Sequence, residues 1–417
     1  MRKRTIVICD DEGSRASKWQ ELILSVGKPM ANYRIVTLTK KDFDDAIQEL
    51  RQRQLAARGK GAPQISETPF DLADLLVVDF DLLKFETPGS DTGEGVAYLA
   101  RSYSKCGYIL ELNQFGTNWF DLTLSGHAES FADLNIGSDQ LANPGLWSQK
   151  FDGFRPWSWP LIPQALTDLS TRVASLKGQL DKVITDFLGL TLDKVGVLPR
   201  SSREFLGVGR DPDQATFREF VTSSPFGLRR ADKPLDDGQI ARIAASRIAK
   251  WLEHVVLSGQ ETLVDAPHLV SRYPSLLTGG LSQSTLKKTG TLGQDFRKLG
   301  LRYGLIEDAR FTRLGWLSRP AWRWFQIKSL ESLPEDKDPW SAPDIRYEFC
   351  EDVSQFLPRE GVRSFVASVD SSFDHRFLAN PRADGGRKLA DRNRKPGKRV
   401  PTDLTRVDYL PADRLAI

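Results

Sequence analysis

Two short apolar runs, each stopping at carboxylates, constrain the fold more than anything else in this chain. The sequence opens TIVICDDE, where a β-branched run halts at Asp10, Asp11 and Glu12. Further on, FDLADLLVVDFDLL holds an unbroken apolar run that halts at Asp79, with Asp81 two residues later. Runs this short, bounded by charge and separated by helical patterning, read as buried parallel strands of an open α/β sheet. Ligands of such sheets lie outside the carboxyl ends of the strands. Asp10, Asp11 and Asp79 at neighbouring strand ends predict an oxygen-rich pocket suited to a hard cation such as Mg²⁺. The plainer alternative is a pair of solvated loop starts.

The order of segments resembles the receiver domain of bacterial response regulators over about residues 4–188. IVICDDE resembles the first strand and its acidic pair, and DLLVVDF the third strand, with Asp79 at the phosphoacceptor position. GEGVAYLARSY resembles the third helix and CGYILELN the fourth strand. FDGFRPWSWP resembles the fifth strand with its Lys-Pro turn, and LIPQALTDLSTRVASL the fifth helix. The resemblance implies a doubly wound parallel sheet, Mg²⁺ held by Asp10, Asp11 and Asp79, and phosphoryl transfer to Asp79. The sequence departs from the family in two ways. A small hydroxyl residue belongs near Leu112 or Asn113, and the Lys before Pro is replaced by Arg155 before Pro156. Arg155 is then the implied phosphoryl-binding cation, since a guanidinium can neutralise a phosphoryl charge. The segment from Gln114 to Trp147 also intrudes where the fourth helix would sit. A degenerate receiver of this kind either takes phosphate or serves as a pseudo-receiver for docking or dimerisation, because fold does not carry activity with it.

A chain of 417 residues has room for two or three domains. Its three cysteines, Cys9, Cys106 and Cys350, are widely separated, which argues against a disulfide framework or a zinc knuckle and for a reducing compartment. The start MRKRTIVIC is too short in its apolar part for a signal peptide, and no stretch has the length of a membrane helix. A cytoplasmic location is expected. Charge is distributed unevenly. Residues 1–160 carry 18 Lys and Arg against 22 Asp and Glu, whereas residues 161–417 carry 40 against 33. An acidic front and a basic back suit a regulatory module joined to a part that meets an anionic partner.

Between the halves, Ile162, Leu166, Leu169, Val173, Leu176, Leu180, Val183 and Phe187 alternate spacings of four and three. This heptad seam predicts one long linking helix that either pairs with a second copy or packs on the sheet. Beyond it, LDDGQIARIAASRIAKWLEHVVLSG predicts a helix capped by Asp236 or Asp237, with Ile240, Ile243, Ile248, Trp251, Leu252 and Val255 on its apolar face and Gly259 at its end. Another helix is expected before Gly300, followed by strands or a hairpin in GLIEDARFTRLGWLSRPAWRWFQI.

Two stretches point to nucleic acid. From Phe296 to Lys328, Arg297, Lys298, Arg302, Arg310, Arg313, Arg319, Arg323 and Lys328 interleave with Tyr303, Phe311, Trp316, Trp322, Trp324 and Phe325. Cations can neutralise phosphates while aromatic faces stack on bases, although the same pattern suits a core hairpin with solvated arginines. A basic loop then carries Arg387, Lys388, Arg392, Arg394, Lys395, Lys398 and Arg399, and its target could be DNA, RNA or acidic protein. VDYLPADRLAI after it is expected to return to the fold.

Catalytic constellations are sparse. His127, His254, His268 and His375 show no metal-ligand spacing with the cysteines, and Asp265 with His268 or Asp374 with His375 reads first as a structural pair. Glu351, Asp352, Asp370 and Asp374 could suit a metal nuclease, but no motif joins them.

The fold expected is α/β: a doubly wound, receiver-like parallel-sheet domain at 1–160, a heptad helix at 161–190, and an α+β output region at 191–417. The leading functional reading is a response-regulator-like signalling or adaptor protein rather than an enzyme, with a partner- or nucleic-acid-binding C-terminal region. Receiver-like modules with unusual output regions resemble components of bacterial conflict systems, antiviral defence among them, which implies a kinase or ATPase partner. The other readings are a regulated, nuclease-like metal enzyme and a structural pseudo-receiver subunit of a homodimer or larger complex.

Overall fold

A computed structural model describes residues 3–10, 12–59, 66–82, 92–113, 120–121, 128–148, 155–207, 214–223, 235–278, 286, 301–330, 333, 345–365, 376–379, 400–401 and 407–409. The apolar run RTIVIC forms β1 (Arg4–Cys9), and its last four residues are buried. It leads into α1 (Gly13–Ser25), which buries Ala16, Trp19 and Ile23. After β2 (Tyr33–Thr37), α2 (Lys40–Ala57) starts at a capping box in which Thr39 and Asp42 satisfy each other's backbone N–H groups. LLVVD forms β3 (Leu75–Asp79), buried throughout, and α3 (Gly93–Tyr103) follows, capped by the Thr92 side chain. YILELN forms β4 (Tyr108–Asn113).

The sheet has five parallel strands in the order β2-β1-β3-β4-β5, where β5 is Leu134–Gly137. Among the described residues, the fifth strand of this sheet therefore lies inside the segment expected to intrude. The reason is visible in LNIG: Leu134, Ile136 and Gly137 are buried and pair with Leu110, Leu112 and Asn113 of β4. In FDGFRPWSWP, residues 151–154 lie outside the described residues, and Arg155 and Pro156 are not in a strand of this sheet. Right-handed crossovers put α1 on one face, with α2 and α3 on the other. Contacts agree: α2 packs on α3, while α1 packs on the turn Ser138–Ala142 after β5.

The expected heptad helix is two helices. α4 (Ile162–Ser175) stops at Leu176, and a separate turn of helix spans Ile184–Leu188. Gly178 breaks it, with φ at 70° in the left-handed region that disfavours any side chain. The seam is nonetheless apolar for a physical reason: Ile162, Leu166, Leu169, Leu176 and Leu180 are all buried in the chain's own core.

That core crosses the boundary expected at residue 160. It joins the sheet to Phe217, Phe220 and α5 (Asp237–Trp251), and reaches Phe311, Trp316 and Ala321. α5 is capped by Asp236, whose carboxylate accepts the Gln239 N–H at 2.8 Å, and it runs on through Leu252–Val256 to Leu257. Its burial extends beyond the expected apolar face to Ser246, Arg247 and Lys250. These polar groups meet the N-terminal sheet. The Asp133 carboxylate, just before β5, accepts bonds from Arg101 of α3, the Ser246 hydroxyl of α5 and the backbone N–H of Ile109.

A second apolar cluster covers Val264, Leu269, Val270, Trp322, Phe349 and Phe356. It backs a four-stranded mixed sheet built from Tyr347–Cys350, Gln355–Pro358, Val362–Ser364 and Phe377–Ala379. The stretch expected to form strands or a hairpin holds one short strand, Ala321–Arg323, which pairs with Leu263–Asp265 and also folds back on its own stretch through an antiparallel bridge between Arg310 and Trp322. The expected helix before Gly300 falls outside the described residues, Leu286 excepted. Val407–Tyr409 pairs with Phe120–Asp121, so the C-terminal segment does return to the N-terminal half. Cys9, Cys106 and Cys350 are free thiols, all buried. No helix among the described residues is long and apolar enough to cross a membrane.

Asp133 gives a direct test of this seam. Asp133→Ala leaves Arg101 buried without its counter-charge and should cost about 3–5 kcal/mol in denaturant unfolding. The double change Arg101→Met with Asp133→Leu should cost less, because no uncompensated charge remains.

Candidate functional site

Parallel register sets the acidic pocket. Cys9 lies opposite Val78 across β1 and β3, so the next residues, Asp10 and Asp79, leave the sheet side by side. Both are buried, at 5% and 1% exposure, an unusual state for carboxylates and one that demands a counter-charge. The Asp10 carboxylate also accepts the Glu12 N–H at 2.7 Å, which turns the chain into α1. One turn into that helix, Arg15 comes back over the pocket. Its Nη1 lies 2.9 Å from Asp79 Oδ2, and its Nε lies 3.7 Å from Asp10 Oδ1 and 3.4 Å from Glu12 Oε2. No sequence motif marks Arg15; its one-turn spacing from the strand end is the local signal that points to it. Asp11 lies outside the described residues. Among the described residues no group of three or more His, Cys, Asp or Glu side chains is assembled as a metal site. Asp10 and Asp79 could supply two oxygen ligands to a hard cation, with Arg15 in the place such a cation would contest.

Behind the pocket lies a second acidic group that sequence reasoning missed. Glu111 interrupts the apolar run of β4 and is 1% exposed, with one oxygen accepting from the Asn135 side chain of β5. Burial pushes its carboxyl up to about 7, with Glu94 adding like-charge repulsion. Glu94 accepts the Ser130 hydroxyl and the Phe131 N–H, each at 2.6 Å. Lys250 of α5 donates to the carbonyls of Ser130 at 3.1 Å and Ala132 at 2.5 Å. Burial, then the neighbouring Arg247, bring its ammonium down to about 7. A lone Glu within YILELN was the available signal.

Arg155 is buried, and its guanidinium donates to the carbonyls of Gly145 at 3.3 Å and Ser148 at 3.2 Å. Those carbonyls end the short helix Pro144–Trp147, so the described bonds of Arg155 cap a helix, whereas the cation described at Asp79 is Arg15. Of Leu112 and Asn113, near which the receiver resemblance expects a hydroxyl, Leu112 is buried core and Asn113 is half-buried.

In the C-terminal half, Asp265 and His268 form the core of a charge network. His268 Nδ1 is 2.6 Å from Asp265, and Nε2 is 3.0 Å from Glu351. Arg319 bridges Asp265 to Glu253 at 3.3 and 3.4 Å, and Arg376 grips Glu351. Every group is paired, and His268 is 4% exposed, so the network reads as a clamp. Asp352 is committed to backbone: its carboxylate accepts the N–H groups of Val353 and Ala379, both at 3.0 Å. Burial raises it to about 7. Asp370, Asp374, His375 and His127 lie outside the described residues.

The aromatic-basic stretch divides. Phe311, Trp316 and Trp322 are core, and Arg319 and Arg323 are committed to internal partners. Trp324 is half-buried beneath Arg272, 3.8 Å from its ring centre, and Phe325 is exposed. Arg297, Lys298 and the basic loop residues Arg387, Lys388, Arg392, Arg394, Lys395, Lys398 and Arg399 lie outside the described residues. Compared with known proteins, the chain matches no family model, no curated protein and no solved structure.

The clamp predicts a stability optimum. Although burial opposes it, pairing with Asp265 and Glu351 raises the His268 pKa above its ordinary 6.5. A raised pKa adds stability that is complete below 6.5 and is lost as pH rises through the folded-state value. Asp265 and Glu351, held down to about 2 against burial by His268 and by Arg376 respectively, add stability above pH 4.5 that is lost as pH falls toward 2. Unfolding curves should therefore separate wild type from His268→Asn most widely between about pH 4.5 and 6.5 and converge on the alkaline side.

Proposed function

We propose that the chain is a receiver-like signalling or adaptor protein in which Asp79 is the reactive carboxylate and Asp10 its partner. The observation that carries this reading is the burial of both carboxylates at adjacent carboxyl ends of a parallel sheet ordered 2-1-3-4-5. That order belongs to doubly wound folds whose ligands sit at the strand ends. In this reading Mg²⁺ is held by Asp10, Asp11 and Asp79, and a phosphoryl group is taken by Asp79. Arg15, the cation already in contact with Asp79, offers the guanidinium to the phosphoryl oxygens. The C-terminal half is the partner- or nucleic-acid-binding output, and α5 carries the state of the sheet into it through Lys250 and Ser246. A kinase or ATPase would supply the phosphoryl group, and membership of a bacterial defence system remains part of this proposal by analogy alone.

Incubation with a small phosphodonor and Mg²⁺ should add one phosphate to the wild type by intact mass and none to Asp79→Asn. An unmodified wild type, under conditions that label an ordinary receiver, would sink the phosphoacceptor role and leave a pseudo-receiver.

Arg15 and a divalent ion contest the same oxygens. Arg15→Ala should lower the melting temperature in chelator, because two buried carboxylates lose their counter-charge. It should bind Mg²⁺ about tenfold or more tightly than wild type by calorimetry, with millimolar Mg²⁺ restoring the melting temperature.

A further inference from the structure

The short helix Leu192–Val195 and the helix Trp324–Lys328 pack together and leave apolar side chains that no other described residue buries. Leu192 is 69% exposed, Val197 75% and Phe325 46%, among the large apolar side chains that the described structure leaves open. The Phe325 ring rests on Gly196. That glycine has φ at 70°, and a Cβ there would lie 3.3 Å from the ring, so the absent side chain lets the ring lie close to the backbone. Beside Phe325, Trp324 is packed on Arg272 and Tyr273, with Lys328 6.0 Å from its ring centre.

Cations rim this surface. Lys194 Nζ lies 4.0 Å from where the Gly189 side chain would start. Arg313, exposed, lies over the Phe187 ring at 5.2 Å, and Lys328 is exposed at the opposite margin. Lys194, Arg313 and Lys328 stand here against the acids Asp193 and Asp186. Exposed aromatic and aliphatic side chains with cations beside them complement a ligand that is anionic along its backbone and apolar on its faces. A folded acidic protein surface would meet the rim but bring nothing to stack on Phe325. A lipid surface would call for a larger apolar area.

We infer that this face binds single-stranded nucleic acid, with Phe325 stacking on a base and Lys194, Arg313 and Lys328 along the phosphates. The inference rests on the output role proposed above and commits it to a described surface rather than to the basic loop. Ribose and deoxyribose strands share the chemistry, so both probes are needed.

The test is fluorescence anisotropy of the full chain with labelled oligo(dT) and oligo(U) of about sixteen nucleotides. Wild type should bind at least one of them. Phe325→Leu, which keeps an apolar side chain but no ring, should weaken binding about tenfold, while Phe325→Tyr should retain it. Lys194→Gln and Lys328→Gln should each flatten the dependence of log affinity on log salt by about 0.7. Circular dichroism verifies that each variant is folded, and the lysine variants test the same face independently of the ring. Binding unchanged by Phe325→Leu and the lysine changes, but abolished by neutralising Arg387, Lys388, Arg392, Arg394, Lys395, Lys398 and Arg399, overturns this face while leaving a nucleic-acid output standing. A glutamate-rich peptide that binds as tightly as the oligonucleotides, with Phe325→Leu indifferent, likewise overturns it in favour of a protein partner. Folded wild type that binds neither strand overturns both this face and the nucleic-acid output.

Discussion

One carboxylate, Asp133, holds the two halves of the molecule to a common frame. It accepts from the Arg101 guanidinium of α3, the Ile109 N–H of β4 and the Ser246 hydroxyl of α5. A buried charge with three donors fixes geometry more strictly than apolar contact can, because any displacement leaves a group unsatisfied. Everything near the acidic pocket inherits that precision. β5 follows Asp133 directly, β5 supplies Asn135 to Glu111, and Glu111 lies next to Val78 in register, one residue before Asp79.

Electrostatics in the pocket is settled by the chain itself. Two buried carboxylates at neighbouring strand ends are met by Arg15, a tethered cation one helical turn away. A guanidinium is planar and directional, so it can bridge carboxylates or grip a phosphoryl group, whereas Mg²⁺ requires near-octahedral oxygen ligands. In the proposed reading, Arg15 and Mg²⁺ would therefore compete for the same oxygens with different geometries. Glu111, Glu94 and Lys250 behind it form a second layer in which both Glu111 and Lys250 are drawn toward about 7 by burial. Such a layer is sensitive to charge changes in front of it.

How much of this was legible depends on the range of the interactions. IVICDDE and LLVVDF disclosed β1 and β3 and the pairing of Asp10 with Asp79, because strand burial and strand ends are local properties. Asp236 and the Ile240 to Trp251 pattern disclosed α5 for the same reason. The seam from Ile162 to Phe187 misled: its periodicity reports burial, and five of its eight residues are buried, but Gly178 turns the chain midway. β5 was missed because LNIG is four residues long and carries Asn135 and a glycine, too little to outweigh an apparent insertion. Arg15 and the contacts of α5 were beyond reach, since they depend on which elements tertiary packing brings together. Of the aromatic-basic stretch, composition alone could not tell Trp316 and Trp322, which are core, from Phe325, which is exposed.

The bond from Ser246 to Asp133 spans 113 residues of chain. For a protein made from its N-terminus onward, this sets an order of assembly. The five strands are synthesised early, yet the edge of their sheet and the buried charges beside it stay open to solvent until α5 has emerged. Long closures of this kind slow folding more than they weaken the final state. The N-terminal sheet is thus a late-maturing part of the molecule, although it is made first, and the buried charges behind its acidic pocket find their last partners only when α5 arrives.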